Sequence, residues 1–309
     1  MTLTHPHKVS GFDLPALNPD NKLNRILTSA LRARDIDDQA RVNPSPIYWQ
    51  ADYFDLNRVS TFQAASEQEQ QQILQRLNQT LLQESLLIEQ AGVGYMAKMV
   101  LMAESTQERM LYSLFAADET THLAQLYPYV PAARVPGELD DPFLQLLSEI
   151  TETSDKMVLL FVLQVVLEGW GLTHYRSLAK SCTCRPLREL FQSFLQAEAR
   201  HHGTGITLFN QAELSSRSKG AIMDCLAAFL QMVRVGPQRV VAAIATTKGH
   251  LSRPQRLQIL QQLDTVGHSH QRLQLLKSLM ATTSDDIVSH LDQQGLFTPL
   301  TAEEAACYG

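Results

Sequence analysis

The feature that constrains this chain most is a spacing of glutamates and histidines that occurs twice. In each copy, a second Glu lies 30 residues after the first, and a His follows the second Glu by three residues. The second copy lies 79 residues after the first at every position. Four carboxylates and two imidazoles in this arrangement can bind two metal ions between four helices. The six residues are Glu89, Glu119, His122, Glu168, Glu198 and His201.

Local signals around these residues favour two helical hairpins. Residues three apart share a helix face, so the Glu and the His of each Glu-x-x-His can point into one cavity. Midway between Glu89 and Glu119, Ser105 and Glu108 form a predicted capping box that begins a new helix. Midway through the second copy, Pro186 suits the first turn of a helix. Fifteen residues of helix on each side would place the site about 22 Å from each turn.

The surroundings of Glu168 argue against an accidental alignment of solvated residues, which is the alternative. Glu168 follows residues 157–167, a run that is apolar on nearly every helix face. A helix that is apolar all round is buried, and an unpaired carboxylate there would cost several kcal/mol. A bound metal cation removes that cost, so the sequence predicts a metal site.

The pattern resembles the ferritin-like diiron carboxylate superfamily over roughly residues 66–210. Residues 118–122 read Asp-Glu-Thr-Thr-His, which is similar to the Asp-Glu-x-x-His of diiron monooxygenases and p-aminobenzoate N-oxygenases. Two positions differ from those families. The second copy has Ala197 in place of the Asp, and Phe194 stands where the N-oxygenases have an additional His. The subfamily is therefore not assigned.

The resemblance implies that the six residues of the repeated spacing are the metal-ligating and catalytic residues. It implies two iron ions, with manganese or a mixed iron–manganese pair as alternatives. The expected activity is that of an oxygenase or oxidase that activates O2 and acts on a small, largely apolar or amphipathic organic substrate. A manganese-catalase-like or peroxidase-like enzyme and a ferritin-like metal-binding or storage protein stay open as alternatives. Since no Cys-x-x-Cys pair occurs, the electron donor would be a separate partner.

Three further polar residues are candidates for supporting roles. The resemblance implies that Asp118 holds the ring of His201, and Ala197 in the second copy would then make the site asymmetric. Tyr112 and Tyr175 each lie seven residues from a predicted ligand, so they share its helix face. They could hydrogen-bond a ligand or act in redox chemistry, and the alternative is a buried structural role.

Apolar residues and glycines surround the predicted ligands. The apolar lining suits an uncharged substrate, but it suits any protein core equally. Glycines inside helices indicate either close helix packing or, alternatively, room for a substrate or a π-bulge that re-aims a ligand. The lining residues are Val93, Met96, Phe115, Ala116, Val165, Leu172, Phe194 and Leu195. The glycines are Gly92, Gly94, Gly169, Gly171, Gly203 and Gly205.

Composition excludes several classes of protein. A hydrophobic fraction of 44% is enough for a sizeable core, and a net charge of −6 without a basic block does not suggest nucleic-acid binding. The N-terminus lacks the apolar stretch of a signal peptide, and the apolar run at 157–167 is too short to span a bilayer. Four cysteines do not form a disulfide framework. We expect a cytoplasmic protein with no membrane span, and a homodimer is one open option.

The periodicity predicts an all-α chain, a ferritin-like four-helix bundle with a long crossover and additional terminal helices. The predicted division is an N-terminal extension over 1–65, a dimetal bundle over 66–210 and a C-terminal helical extension over 211–309. An irregular segment over 37–55 should pack on the bundle, and prolines from Pro128 onward begin the crossover. Helices are predicted over 21–36, 66–103, 105–126, 141–153, 154–181, 186–210, 214–234, 237–248, 253–265, 268–281 and 284–294.

Overall fold

The computed structural model describes residues 8–14, 20–34, 45, 47–130, 141–152 and 155–308. Within these ranges the chain forms helices, turns and loops without a strand, which confirms the predicted all-α class. The four-helix bundle stays a prediction. Residues 37–44 and 46 of the predicted irregular segment, and residues 131–140 of the predicted crossover, lie outside the described residues.

Thirteen helices, numbered here in chain order, carry the fold of the described ranges. They are α1 Lys22–Arg32, α2 Ser60–Gln63, α3 Glu67–Met102, α4 Thr106–Leu126, α5 Pro142–Glu152, α6 Lys156–Ser181, α7 Arg185–Gln211, α8 Ser216–Arg234, α9 Gln238–Lys248, α10 Arg253–Gln262, α11 Thr265–Ala281, α12 Asp285–Gln293 and α13 Ala302–Ala305. Short 3₁₀ turns occupy Leu56–Arg58 and Tyr127–Tyr129.

The observed helix ends follow the predicted caps closely. Ser66 and Glu69 exchange the two hydrogen bonds of a capping box at the start of α3. The Ser105 hydroxyl accepts from the backbone N–H of Glu108 at 3.1 Å and begins α4. Helix α1 ends at Arg32, four residues before the predicted end. Asp264 adopts a left-handed conformation and caps α11, so α10 ends and α11 begins three residues earlier than predicted. The short helices α2 and α13 were not predicted.

The chain divides into two compact units, one of residues 1–45 and 80–156 and one of 46–79 and 157–309. Helix α3 therefore contributes its first turns to the second unit and its remainder to the first. The three-part division proposed from the sequence stays a prediction. In the first unit, α5 buries Leu144, Leu147 and Ile150, and its Ser148 hydroxyl lies 3.0 Å from that of Ser10.

The second unit has a core that joins the start of α3 to the C-terminal helices. Ile73 and Leu77 of α3 are buried in one cluster with Val240, Ile244 and Ile259 of α9 and α10. In the same unit, α6 packs against α7, and α11 packs against α8 and α12. The C-terminal hundred residues thus complete the hydrophobic core of this unit.

The irregular segment before α2 is fixed by one buried amide, that of Asn78. Its Oδ1 accepts from the backbone N–H groups of Tyr48 and Trp49, each at 2.8 Å. Its Nδ2 donates to the carbonyls of Trp49 and Leu74 at 2.9 and 2.8 Å. The indole N–H of Trp49 also donates to the carbonyl of Leu178 at 3.0 Å. Every polar group of the Asn78 side chain therefore has a partner, as burial requires.

Helix α6 extends well beyond the apolar run at 157–167, because it continues to Ser181. Of the helices described here, it is the one long and apolar enough to cross a membrane by length and composition. Within its most apolar window 61% is buried inside the protein, and the core helix of a soluble protein passes the same test. The expectation that the chain has no membrane span stays a prediction.

Candidate metal centre

The first unit contains a cluster of Glu89, Glu119 and His122. Glu89 lies on α3, and Glu119 and His122 lie one turn apart on α4. One carboxylate or imidazole atom from each of the three lies within 4.8 Å of the others. His122 Nδ1 is 3.0 Å from Glu89 Oε2, and all three residues are buried. The structure thus brings together the three residues of the first copy.

Gly92 provides the room that the Glu119 carboxylate occupies. A Cβ atom at Gly92 would lie 2.5 Å from Glu119 Oε2 and 2.8 Å from Glu119 Cδ, closer than real Cβ contacts. Gly92 lies three residues after Glu89 on the same helix, so its missing side chain opens the face that carries a predicted ligand. Gly92 therefore fits the close helix packing that was one of the two alternatives, and the side chain that approaches it is a predicted ligand.

The second unit contains the equivalent cluster of Glu168, Glu198 and His201. Glu168 lies on α6, and Glu198 and His201 lie one turn apart on α7. Their donor atoms again lie within 4.8 Å of one another. His201 Nδ1 is 3.6 Å from Glu198 Oε2 and 3.9 Å from Glu168 Oε2. His201 is fully buried, whereas 15% of the Glu168 side chain is exposed. Each unit thus presents two carboxylates and one imidazole around one point.

Helix α6 is wound as a π-helix over Leu159–Glu168, and this segment ends at the predicted ligand Glu168. A π-helix inserts an extra residue into the turn and so changes the direction of the side chains that follow. The sequence analysis gave such a π-bulge as one reading of the glycines that surround the ligands. The π-helix therefore re-aims Glu168, and Gly169 follows it directly.

Gln164 of the π-helix binds the backbone of α7 beside His201. It is fully buried, and its Nε2 donates to the carbonyl of His201 at 3.2 Å. The carbonyl of Gln164 in turn accepts from His202 Nδ1 at 3.1 Å. A Cβ at Gly205 would lie 2.4 Å from that of Gln164, so Gly205 permits this close approach of the two helices. The sequence analysis missed Gln164 and His202.

A signal for Gln164 was present in the sequence. It is the single polar residue within the apolar run at 157–167. A helix that is apolar on all faces is buried, so a polar side chain within it must find a hydrogen-bond partner. The nearest available groups lie on the helix packed against it. Its position alone therefore predicted a contact, but it did not identify His201 as the partner.

The supporting residues predicted from the sequence have the following environments. Asp118 is partly buried, and its predicted support of His201 stays a prediction. Tyr112 is fully buried and packs edge-on against Phe115, with ring centroids 5.8 Å apart. Tyr175 stacks on Phe191, with centroids 5.6 Å apart. Of the predicted lining residues, the fully buried ones are Met96, Phe115, Val165 and Phe194.

The donor chemistry of both clusters fits a divalent transition metal. Carboxylate oxygens with imidazole nitrogen suit iron and manganese, and a cation would neutralise the two carboxylates buried in each unit. The roles of the six residues as ligands and in catalysis, and the supporting roles of Asp118, Tyr112 and Tyr175, stay predictions. Comparison with models of protein families, with curated proteins and with solved structures found no match to this chain.

Proposed function

We propose that the protein is a non-haem dimetal oxygenase or oxidase, with iron as its metal, that activates O2 to oxidise a small apolar or amphipathic organic substrate. One observation carries the proposal. Each compact unit holds the same set of two glutamates and one histidine, with donor atoms within 4.8 Å of one another. The sequence repeats the set at a constant offset, which favours one ion per cluster. A shared centre for the two ions is what the resemblance to diiron carboxylate proteins implies.

The chain's own residues would bind the ions and exclude water. In the first unit, Glu89, Glu119 and His122 would hold one ion, and Gly92 leaves space for the Glu119 carboxylate. In the second unit, Glu168, Glu198 and His201 would hold the other. Three protein ligands leave coordination positions open, as catalytic metal sites require. A bound pair of ferrous ions would supply two electrons to O2.

The apolar residues of the lining would select the substrate class. Met96 and Phe115 in the first unit, and Val165 and Phe194 in the second, are fully buried and carry no charge. A site lined in this way excludes water and disfavours a charged substrate. Electrons for repeated turnover would come from a separate reductant protein, because the sequence has no Cys-x-x-Cys pair.

Metal analysis tests the binding step. Protein grown with iron and, separately, with manganese should contain two metal ions per chain. Glu119→Ala and Glu198→Ala should each lose at least one ion, because each removes a carboxylate from one cluster. Glu213→Ala removes an exposed glutamate outside both clusters and should leave the metal content unchanged. Equal metal content in all four proteins would contradict the assignment of ligands.

Spectroscopy and oxygen uptake test the centre and the reaction. Mössbauer spectra of iron-loaded protein should show two magnetically coupled ions, and two uncoupled ions would contradict a shared centre. Reduced protein should consume O2 with oxidation of an apolar organic substrate. Rapid peroxide breakdown by the manganese form without substrate oxidation would instead favour a catalase-like enzyme. Uptake of many iron ions per chain would favour storage.

A further inference from the structure

Helix α1 exposes most of its apolar face, whereas an amphipathic helix in a protein core buries that face. Its one buried residue is Leu31, and Asn24 and Thr28 on the same side are partly buried. Its main apolar face points away from the protein. Leu23, Ile26 and Leu27 are 56%, 57% and 50% exposed. The exposed face, spaced at helical intervals along one side, consists of Leu23, Ile26, Leu27 and Ala30.

Two positive charges border this apolar face, those of Lys22 and Arg34, whereas the other two cations of the segment lie on the opposite side of the helix. Residues 21–34 carry four cationic side chains and no acidic one, and four aspartates flank this range at positions 20, 35, 37 and 38. Lys22 lies next to Ile26 around the helix, and the guanidinium of Arg34 donates to the carbonyl of Ala30 at 3.0 Å, at the C-terminal end of the face. The four cations are Lys22, Arg25, Arg32 and Arg34.

From this face and its cations we propose that α1 is an interfacial helix that lies in the surface of an anionic lipid bilayer. Amphipathic helices with a cationic border bind in this way, with the apolar face at the acyl boundary and the cations among the headgroups. Only one residue of α1 is buried, so most of its apolar face is accessible to a partner. A lipid surface takes up a small apolar face with cations at its border directly, whereas a rigid protein would need a matching groove.

The charge of the whole chain makes the proposal specific to α1. The net charge is −6, so an anionic membrane repels the protein on average. Electrostatic attraction would therefore have to come from the two cations at the apolar face, Lys22 and Arg34, because the whole chain has the opposite sign. This inference is independent of the metal clusters, which use other helices and need no lipid.

Co-sedimentation of the full-length protein with vesicles tests the inference. The protein should bind mixed phosphatidylcholine–phosphatidylglycerol vesicles at low salt, and it should bind pure phosphatidylcholine vesicles much more weakly. The variant Leu23→Ser/Ile26→Ser/Leu27→Ser should lose binding. Lys22→Gln/Arg34→Gln should lower the partition coefficient about tenfold or more, and added salt should weaken wild-type binding.

A matched control separates α1 from general surface hydrophobicity. Leu101, Met110 and Leu114 lie in the same unit and are 81%, 62% and 63% exposed. Replacing these three by Ser should leave vesicle binding at the wild-type level. Absence of wild-type binding, or equal binding to both vesicle types, would overturn the proposal. So would a dimer in light scattering that the α1 variant dissociates without a change in vesicle binding, which would identify a second copy as the occupant.

Discussion

Gln164 and His201 are joined by a hydrogen bond in which the side-chain amide of Gln164 donates to the backbone carbonyl of His201 over 3.2 Å. Both residues are fully buried. The bond runs from the π-helix that carries Glu168 to the helix that carries Glu198 and His201. The bond ties the two helices together at the level of His201, close to the cluster of the second unit. We therefore expect Gln164 to help hold the spacing of the helices that carry Glu168, Glu198 and His201.

Replacing Gln164 by Leu should destabilise the protein by about 1–2 kcal/mol, because a buried donor is lost and the carbonyl loses a partner. It should also weaken metal retention in the second unit. Gln70→Leu is the matched control, because the Gln70 amide also donates to backbone carbonyls but lies outside both clusters. That variant should lose similar stability without losing metal. Urea unfolding and metal analysis measure the two effects.

Gly92→Ala should impair the first cluster. The new Cβ would lie 2.5 Å from Glu119 Oε2, so the carboxylate must move. We expect lower metal affinity, measured by competition with a chelator. Gly203→Ala is the control, since a Cβ at Gly203 meets no atom within 4 Å and the helix should gain about 0.5–1 kcal/mol. Undiminished affinity in Gly92→Ala would show that the carboxylate has room to shift.

Acid should destabilise the second unit. Burial, with the charge of Arg272, lowers the pKa of His174 to about 4 and that of His268 to about 3. In the unfolded chain both groups titrate near about 6.5. Between these values the unfolded state binds more protons, so stability is lost as the pH falls, by at most about 1.4 kcal/mol per pH unit for each histidine.

Urea unfolding of the metal-free protein between about pH 7 and about pH 5 measures this slope. His174→Gln and His268→Gln should each make it shallower, because the residue that binds a proton only on unfolding is gone. His250→Gln, at an exposed position, should leave the slope as in the wild type. A slope that neither of the first two variants changes would rule out the histidines as its cause.

Replacing Glu108 should lower the stability more than replacing Ser105, the N-cap residue with which Glu108 was expected to form a capping box. Its Oε1 lies 2.7 Å from Lys156 Nζ, and its Oε2 accepts from the backbone N–H of Glu104. Glu108→Ala leaves the largely buried Lys156 ammonium with only the exposed carboxylate of Glu104 at 3.4 Å, and it should cost about 2–3 kcal/mol. Ser105→Ala removes the N-cap and should cost about 1 kcal/mol. A double-mutant cycle with Lys156→Met measures the coupling, and additive effects would show that the pair is weak.

The sequence by itself determined the longer helices and the composition of both clusters. Periodicity, caps and breakers act within a few residues, so the first residues of α3 and α4 could be predicted from Ser66 and Ser105 alone. The spacing of each Glu-x-x-His is equally local, because one helical turn places both side chains on one face. The three-residue cluster of each unit was therefore predictable once the hairpins were.

Only the tertiary structure decided which distant groups the buried polar side chains bind. Asn78 was one polar residue on a long helix, but it binds backbone groups 29 and 30 residues earlier. Glu108, expected to bond within its own cap, pairs with Lys156. The face on which α1 packs, and the core shared by α3 and the C-terminal helices, likewise depend on packing between segments far apart in the chain. Local patterns determine what a segment becomes, whereas the partner of a buried group depends on which segments pack together.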